Sequence, residues 1–384
     1  MVGVKYSLSC FVFMSRKTES GYLTPLDGVD VDVLKPFSRL LEGWFCIGKE
    51  DAWSILLSLV GCCLGNCCIE EYYDEYGGAS PDVVLKFTGE PVERMTGFCN
   101  LLLRESGRMA KRARLFNDTY FSADYTDVVY SGRPGEYTLN VLETGKAKMK
   151  LRRAFRYGVS CVVRPGARYF LGVTPYKKGD GVRNTVSLLA GLTVGEVDFT
   201  MSMFDKAFAT MDVFQDLEDL GKEYVLPYRK NKQLDGMWTG EQKLVDYTIR
   251  KNGGGCKTVK IYLQKDDEDG YHAYVFPWKT TLREAEKLVE LYRVRWNQET
   301  GFRCRKKTMA WTKSPSASYR LLLFTMSLLI SNLWFFLKQT GNHVRQNSFK
   351  RRFLDMIRRT QTKIGVEHTV FGTNIKKTSR PATR

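Results

Sequence analysis

Histidine is scarce in this chain. Only three occur in 384 residues (His272, His343, His368), none in an H-E-x-x-H or paired arrangement, which argues against a histidine-built zinc enzyme. The ten cysteines show no framework spacing and follow no signal peptide. Reduced thiols in a cytosolic compartment are expected, not disulfides. Cys62, Cys63, Cys67 and Cys68 lack the C-x2-C spacing of zinc ribbons and lie in an apolar stretch, so they read as small buried hydrophobes. Unbroken membrane-length apolar runs are also lacking. The run 55–69 falls short of about 20 residues, and 321–337 is interrupted by Thr325, Ser327, Ser331 and Asn332, so both are expected as buried core helices with no membrane partner. No targeting segment, lipidation motif, repeat or low-complexity tract is evident, and the expected location is the cytoplasm, at the nucleoid.

Positive charge is abundant. Lys and Arg number 59 against 42 Asp and Glu, a formal net charge of +17. Such an excess favours polyanionic partners through counterion release, nucleic acid first among them. The basic residues cluster in the segment that holds Arg104, Arg108, Lys111, Arg112 and Arg114, in 146–156 with Lys148 and Lys150, and in the tail after Lys338. Each run by itself is equally compatible with a solvated face.

The length allows a substantial core and two or three domains. Residues 1–115 alternate apolar helical patterns with loops, a mostly helical region placed to bind DNA ends. From 116 the chain turns to short aromatic and β-branched runs (YFSADYTDVVY, FRYGVSCVV, RYFLGVTP) that read as three strands. A helix at VRNTVSLLAGL, closed by Gly191 or Gly195, a strand at VGEVDFTMSMFD and a helix holding Val213, Phe214, Leu217 and Leu220 follow. Residues 223–280 read as a β-rich insertion, 281–340 as a helix beginning near Thr281 or Leu282 and a buried closing helix, and 341–384 as a basic tail.

The run YRVRWNQETGFRCRKK carries the most chemical information. Arg295, Glu299 and Lys306 follow Tyr292 by 3, 7 and 14 residues. On a straight helix these offsets fall within an arc of about 60°. A phenol, two cations and a carboxylate on one face suit a metal beside polyanionic phosphate. Phosphoryl transfer by two metals needs further carboxylates from separate elements, and two strands supply candidates. Asp124 stands at the end of a strand in FSADYTDVVYSG with Asp127 as competitor, and odd spacing points those two to opposite faces. Asp205 closes the fourth strand in SMFDKAF, where Asp198 competes more weakly.

The Y-x2-R-x3-E-x6-K spacing, the strand-ending aspartate and the D-x-x-F with Phe208 together resemble the DDE transposases of bacterial and archaeal insertion sequences, over residues 115–340. The resemblance implies an α/β, ribonuclease H-like mixed-sheet catalytic core, covering 116–222 and 281–340 and interrupted by the β-rich insertion. It selects Asp124 over Asp127, and it implies Asp124, Asp205 and Glu299 as catalytic residues holding two Mg2+ ions, with Mn2+ as a substitute. Tyr292, Arg295, Arg303 and Lys306, with Lys111, Arg112, Lys148 and Lys150, are the expected DNA contacts. Double-stranded DNA, both element ends and target, is the implied partner, bound by a homodimer. Trp238 or Trp278 is a candidate to hold a flipped base, against the simpler reading of a packed tryptophan. The chain departs from the resemblance at Lys206, where many relatives carry arginine, and in its N-terminal region. A DNA-binding protein without catalysis and a nuclease that cuts without joining are the alternatives.

Overall fold

The computed structural model describes residues 31–143, 150–250, 254–268, 270–340 and 345–371. Among the described residues five α-helices come first: α1 (Lys35–Phe45), α2 (Lys49–Gly65), α3 (Ile69–Tyr76), α4 (Pro81–Phe87) and α5 (Val92–Arg112). Their ends are set locally. Ser80 caps α4 ahead of Pro81, a capping box of Cys68 and Glu71 starts α3, and α2 stops at Asn66 in the left-handed conformation (φ 57°). Cys62 and Cys63 are fully buried in α2, as their apolar surroundings imply.

The chain then builds β1 (Tyr120–Tyr130), β2 (Thr138–Glu143), β3 (Lys150–Arg164), β4 (Ala167–Pro175), α6 (Val182–Val194), β5 (Met201–Phe204), α7 (Met211–Asp219) and β6 (Glu223–Tyr228). β3 pairs antiparallel with β1 on one edge and shares its other edge between β2 and β4, while β5 joins β1 and β6 joins β5 in parallel. This is the mixed sheet of a ribonuclease H-like core. Two differences from the sequence expectation stand out. β2 is an additional strand, and Asp124 does not stand at the end of its strand: the run YFSADYTDVVY, read as a strand, is β1 in full and extends beyond Asp124, with the long β3 pairing along it from Tyr120↔Val163 to Tyr130↔Arg153. Tyr125, Thr126, Val128 and Val129 all suit that extension.

α8 (Lys232–Met237), β7 (Lys243–Arg250), β8 (Cys256–Lys265) and β9 (Tyr271–Phe276) make the insertion. β9 pairs antiparallel with β6 at Leu226↔Val275, Pro227↔Tyr274 and Tyr228↔Ala273, so nine strands among the described residues form one continuous sheet. β6, expected to open the insertion, is hydrogen-bonded to β5 and belongs to the core sheet. Among the described residues four α-helices follow: α9 (Leu282–Tyr292), α10 (Trp296–Arg305), α11 (Ala317–Gln339) and α12 (Gln346–Phe371). Part of the expected basic tail is therefore α12, which buries Phe349, Phe353, Leu354 and Ile357 and packs on α2.

Strand alternation divides the core. Val128 and Tyr130 face a cluster shared with α2, α5 and α11, while Phe121 and Ala123 face α6 and α7. Among the described residues α11 alone is long and apolar enough to cross a membrane as a single helix, and 83% of its apolar window is buried inside the fold. Its Asn332 has structural work. β4 is an edge strand whose outward backbone groups need partners under the covering helices. Asn332 accepts from Phe170 N (2.9 Å) and donates to Phe170 O (2.8 Å) and to Ser106 Oγ (2.7 Å), and Asn100 of α5 accepts from Val173 N at 2.8 Å. Asn332→Leu keeps the branched shape but strands two buried backbone groups, so we expect the unfolding free energy to fall by about 3 kcal/mol. A urea midpoint equal to that of the unaltered protein would contradict this assignment.

Candidate active site

β1 and β5 are adjacent and parallel, paired at Ser122↔Met203 and Ala123↔Phe204. The next residue after each of this last pair is an aspartate, Asp124 within β1 and Asp205 just past the end of β5, so the two stand side by side there, about 5 Å apart in the pairing direction. Each carboxylate accepts a local backbone hydrogen at 2.7 Å, Asp124 from Tyr125 N and Asp205 from Lys206 N. Asp205 opens a 3₁₀ turn, Lys206–Phe208, and buried Phe208 anchors it by stacking on Tyr125 (centroids 5.1 Å apart) and packing on Phe204 (5.7 Å). The aromatic three residues after the aspartate thus fixes the direction in which Asp205 leaves the strand.

Glu299 comes from α10. Ser122 donates to Gln298 Oε1 and Gln298 donates to Val159 O at 3.2 Å, tying α10 to β1 and β3. Gly301 lets the helix lie close, since a Cβ there would meet Arg168 and Phe170 at 2.8 Å. Ser122 and Asp124 share the face of β1 that meets α10. Arg295 joins the acids: its guanidinium contacts Glu299 Oε1 at 2.7 Å and Asp124 Oδ2 at 3.6 Å, with its side chain 8% exposed. Burial pushes the Asp124 carboxyl up to about 6; Arg295 opposes that shift, while Asp205 and Glu299 add to it. Among the described residues no three His, Cys, Asp or Glu side chains close into a group able to hold a metal. The donor chemistry still fits one, because three carboxylates offer the hard oxygens that Mg2+ or Mn2+ takes.

The signature helix is not straight. A 3₁₀ turn at Arg293–Arg295 separates α9 from α10. Tyr292 is buried and donates its hydroxyl to Phe204 O at 2.9 Å, so it faces the strand that ends in Asp205. Arg295 is likewise buried, while Arg303 and Lys306 are exposed at the far end of α10. The four residues therefore do not form a single outward stripe: two organise the acids and Lys306 projects to solvent. At the end of α5, Arg104 and Arg108 pair with Glu196 (2.7 and 3.4 Å), Lys111 donates to the Glu196 carbonyl (3.1 Å) and Arg112 lies 3.9 Å from Glu105. Much of this basic run is thus committed to internal contacts. Lys148 lies outside the described residues, as does the Lys150 side chain, although Lys150 begins β3.

The competing aspartates have other occupations. Asp127 forms a two-point ion pair with Arg156 at 2.8 and 2.9 Å, and Asp198 is bound by Lys222 at 3.2 Å. Trp238 packs on Tyr271 with centroids 5.3 Å apart, whereas Trp278 is exposed beside Lys279. A cavity not foreseen from sequence opens beside the Asp205 turn, lined by Lys206, Tyr228, Arg229, Lys230, His272 and Tyr274. The segment YRKNK was its only linear signal, since His272 reaches the cavity through the β6–β9 pairing.

A mixed sheet with an aspartate on one strand, a second aspartate just past the parallel strand beside it and a glutamate on a helix packed across the sheet is the layout of a ribonuclease H-like core. The sequence model described as "Transposase DDE domain" matches residues 137–333, and the chain belongs to that family. The match holds Asp205 and Glu299, with Asp124 on the strand just before it. In fold, the chain is similar to the piggyBac transposase in a cryo-EM structure of its synaptic complex with hairpin DNA: TM-score 0.54, 11% identity, covering 88% of this chain and 78% of that one. No curated protein matches the chain.

The raised Asp124 carboxyl has a definite effect on stability. The folded state keeps this proton to higher pH than the unfolded chain, so stability falls as pH rises from about 4 through about 6, and the full cost remains above that window. Without added metal, Asp124→Asn is expected to stabilise the protein by about 2 to 3 kcal/mol at pH 8 and negligibly near pH 4. Denaturant titrations at the two pH values test this, and an equal effect at both would contradict it.

Proposed function

We propose that the protein is a DNA transposase that cleaves the strands at element ends and joins the freed ends to target DNA. The side-by-side placement of Asp124 and Asp205, with Glu299 linked to Asp124 through Arg295, is the observation that carries this reading. The three carboxylates would hold divalent cations, Mg2+ or Mn2+, which when bound supply Lewis acidity for water activation and for the leaving oxygen. The chain's own residues do the rest. Tyr292 fixes the Phe204 carbonyl, and with it the end of β5 that presents Asp205. Arg295 orients Glu299 and offsets repulsion among the acids.

Arg303 and Lys306, exposed beyond Glu299, would take phosphates flanking the cleaved bond. Lys206 and Arg229 have no carboxylate partner among the described residues, and their cavity offers a basic, tyrosine-lined path for the strand next to Asp205. The DNA is double-stranded, both element end and target, and a homodimer in the cytoplasm, at the nucleoid, would bring two ends together. The +17 formal charge supplies the sequence-independent share of binding.

Strand cleavage of a labelled element-end duplex tests the assignment. Alanine at Asp124, Asp205 or Glu299 should each reduce cleavage to background while DNA binding and its steep salt dependence persist. Asp127→Ala, on the opposite face of β1, should still cleave. Normal cleavage by Asp124→Ala would refute the site. A protein that cleaves but never joins the product to target DNA would be a nuclease.

A further inference from the structure

The far end of α10 presents an accounting problem. Its last turn and the 3₁₀ turn Lys306–Thr308 leave backbone carbonyls without regular helical partners. Two of these carbonyls, and that of Met309 just after the turn, accept hydrogens from side chains remote in sequence. Gln346 Nε2 donates to Cys304 O at 2.8 Å, Lys350 Nζ to Lys307 O at 3.0 Å, and Asn66 Nδ2 to Met309 O at 3.1 Å. Lys350 also donates to Asn66 Oδ1, which closes a triangle between α2, α12 and the turn.

Each member of the triangle is itself held. Asn66 is the left-handed cap of α2, and its backbone N–H bonds back to Cys62 O and Cys63 O. α12 is seated by Phe349, Phe353 and Ile357 in the main core, and further along Gln361 accepts from the Tyr72 hydroxyl at 2.6 Å. Lys350 has no carboxylate partner among the described residues, and its ammonium sits at the negative end of α10, where a cation is favoured. Nothing in this arrangement touches the acids. It fixes the segment from which Lys306 projects.

We infer that Asn66 and Lys350 are positioning residues, a brace through which the N-terminal helices and α12 hold the 304–309 turn so that Lys306 meets DNA at a set distance from Glu299. The inference rests on the site being the DNA-cleaving centre proposed above. It also gives α12 a task other than that of a free basic tail.

Two variants separate the brace from the fold. Lys350→Met keeps the apolar stem, and Asn66→Gly keeps the left-handed cap. In the full chain, amide hydrogen exchange over residues 300–310 should quicken about tenfold in each, as expected for losing one charged or buried hydrogen bond, while exchange in α11 stays unchanged. Cleavage of an element-end duplex in Mg2+ should slow by a similar factor and recover in Lys350→Arg. In a Lys306→Ala background, Lys350→Met should cause no further loss.

Unchanged exchange at 300–310 would overturn the brace. Faster exchange with unchanged cleavage would overturn the positioning role, and losses that multiply with Lys306→Ala would overturn the route through Lys306. If the unaltered protein cleaves no duplex, the proposed function fails and takes the positioning role with it, while exchange still decides whether the brace exists.

Discussion

The site depends on the contact of one guanidinium with two carboxylates. The fold brings Asp124 beside Asp205 by strand register, and it brings Glu299 to the same region on a helix laid across the sheet. Burial and like charge both oppose ionisation there, which is why the Asp124 carboxyl is held up near 6. Arg295, buried and in contact with both Asp124 and Glu299, makes the arrangement tolerable. Much of the surrounding sequence follows from the need to keep that cation in place: the 3₁₀ turn that aims it, the Gln298 anchor behind it and the glycine at 301 that lets α10 approach.

The sheet carries the same constraint outward. Because β9 pairs with β6, the insertion is an extension of the sheet that bears the aspartates. The basic cavity at that seam is therefore placed relative to Asp205 by backbone hydrogen bonds. On the opposite side, Asn332 and Asn100 pair the outward edge of β4, which allows the long apolar α11 to cover it. Asn332, one of the polar residues inside an apolar run that read from sequence as evidence against a bilayer span, serves here as a partner for an edge strand.

Legibility in sequence tracked locality. The β-to-α order, the helix start at Thr281, the strand closing just before Asp205 and the apolar character of Cys62 and Cys63 follow from short-range pattern and are present, but the helix that starts at Thr281 ends at Tyr292 and Glu299 stands on the separate α10. The ribonuclease H-like core also agrees with the fold similarity. Non-local pairing was not legible. Asp124 stands within β1, not at its end, because β3 pairs along the whole of that run, and α12 looked like a basic tail because its apolar residues find a partner some 290 residues earlier, in α2. The helix arc held Tyr292 and Arg295 on the face of Glu299, yet their side chains point inward, since arc position alone does not tell a phosphate contact from a strut.

The central claim is that Asp124, Asp205 and Glu299 form a divalent-cation centre on DNA. Crystals of the protein with an element-end duplex and Mn2+, measured for anomalous scattering, address it most directly. Manganese peaks ligated by these three carboxylates, next to a DNA phosphate, are the predicted result. Duplex bound with no manganese at the three acids, or with manganese held by other residues, would contradict the account.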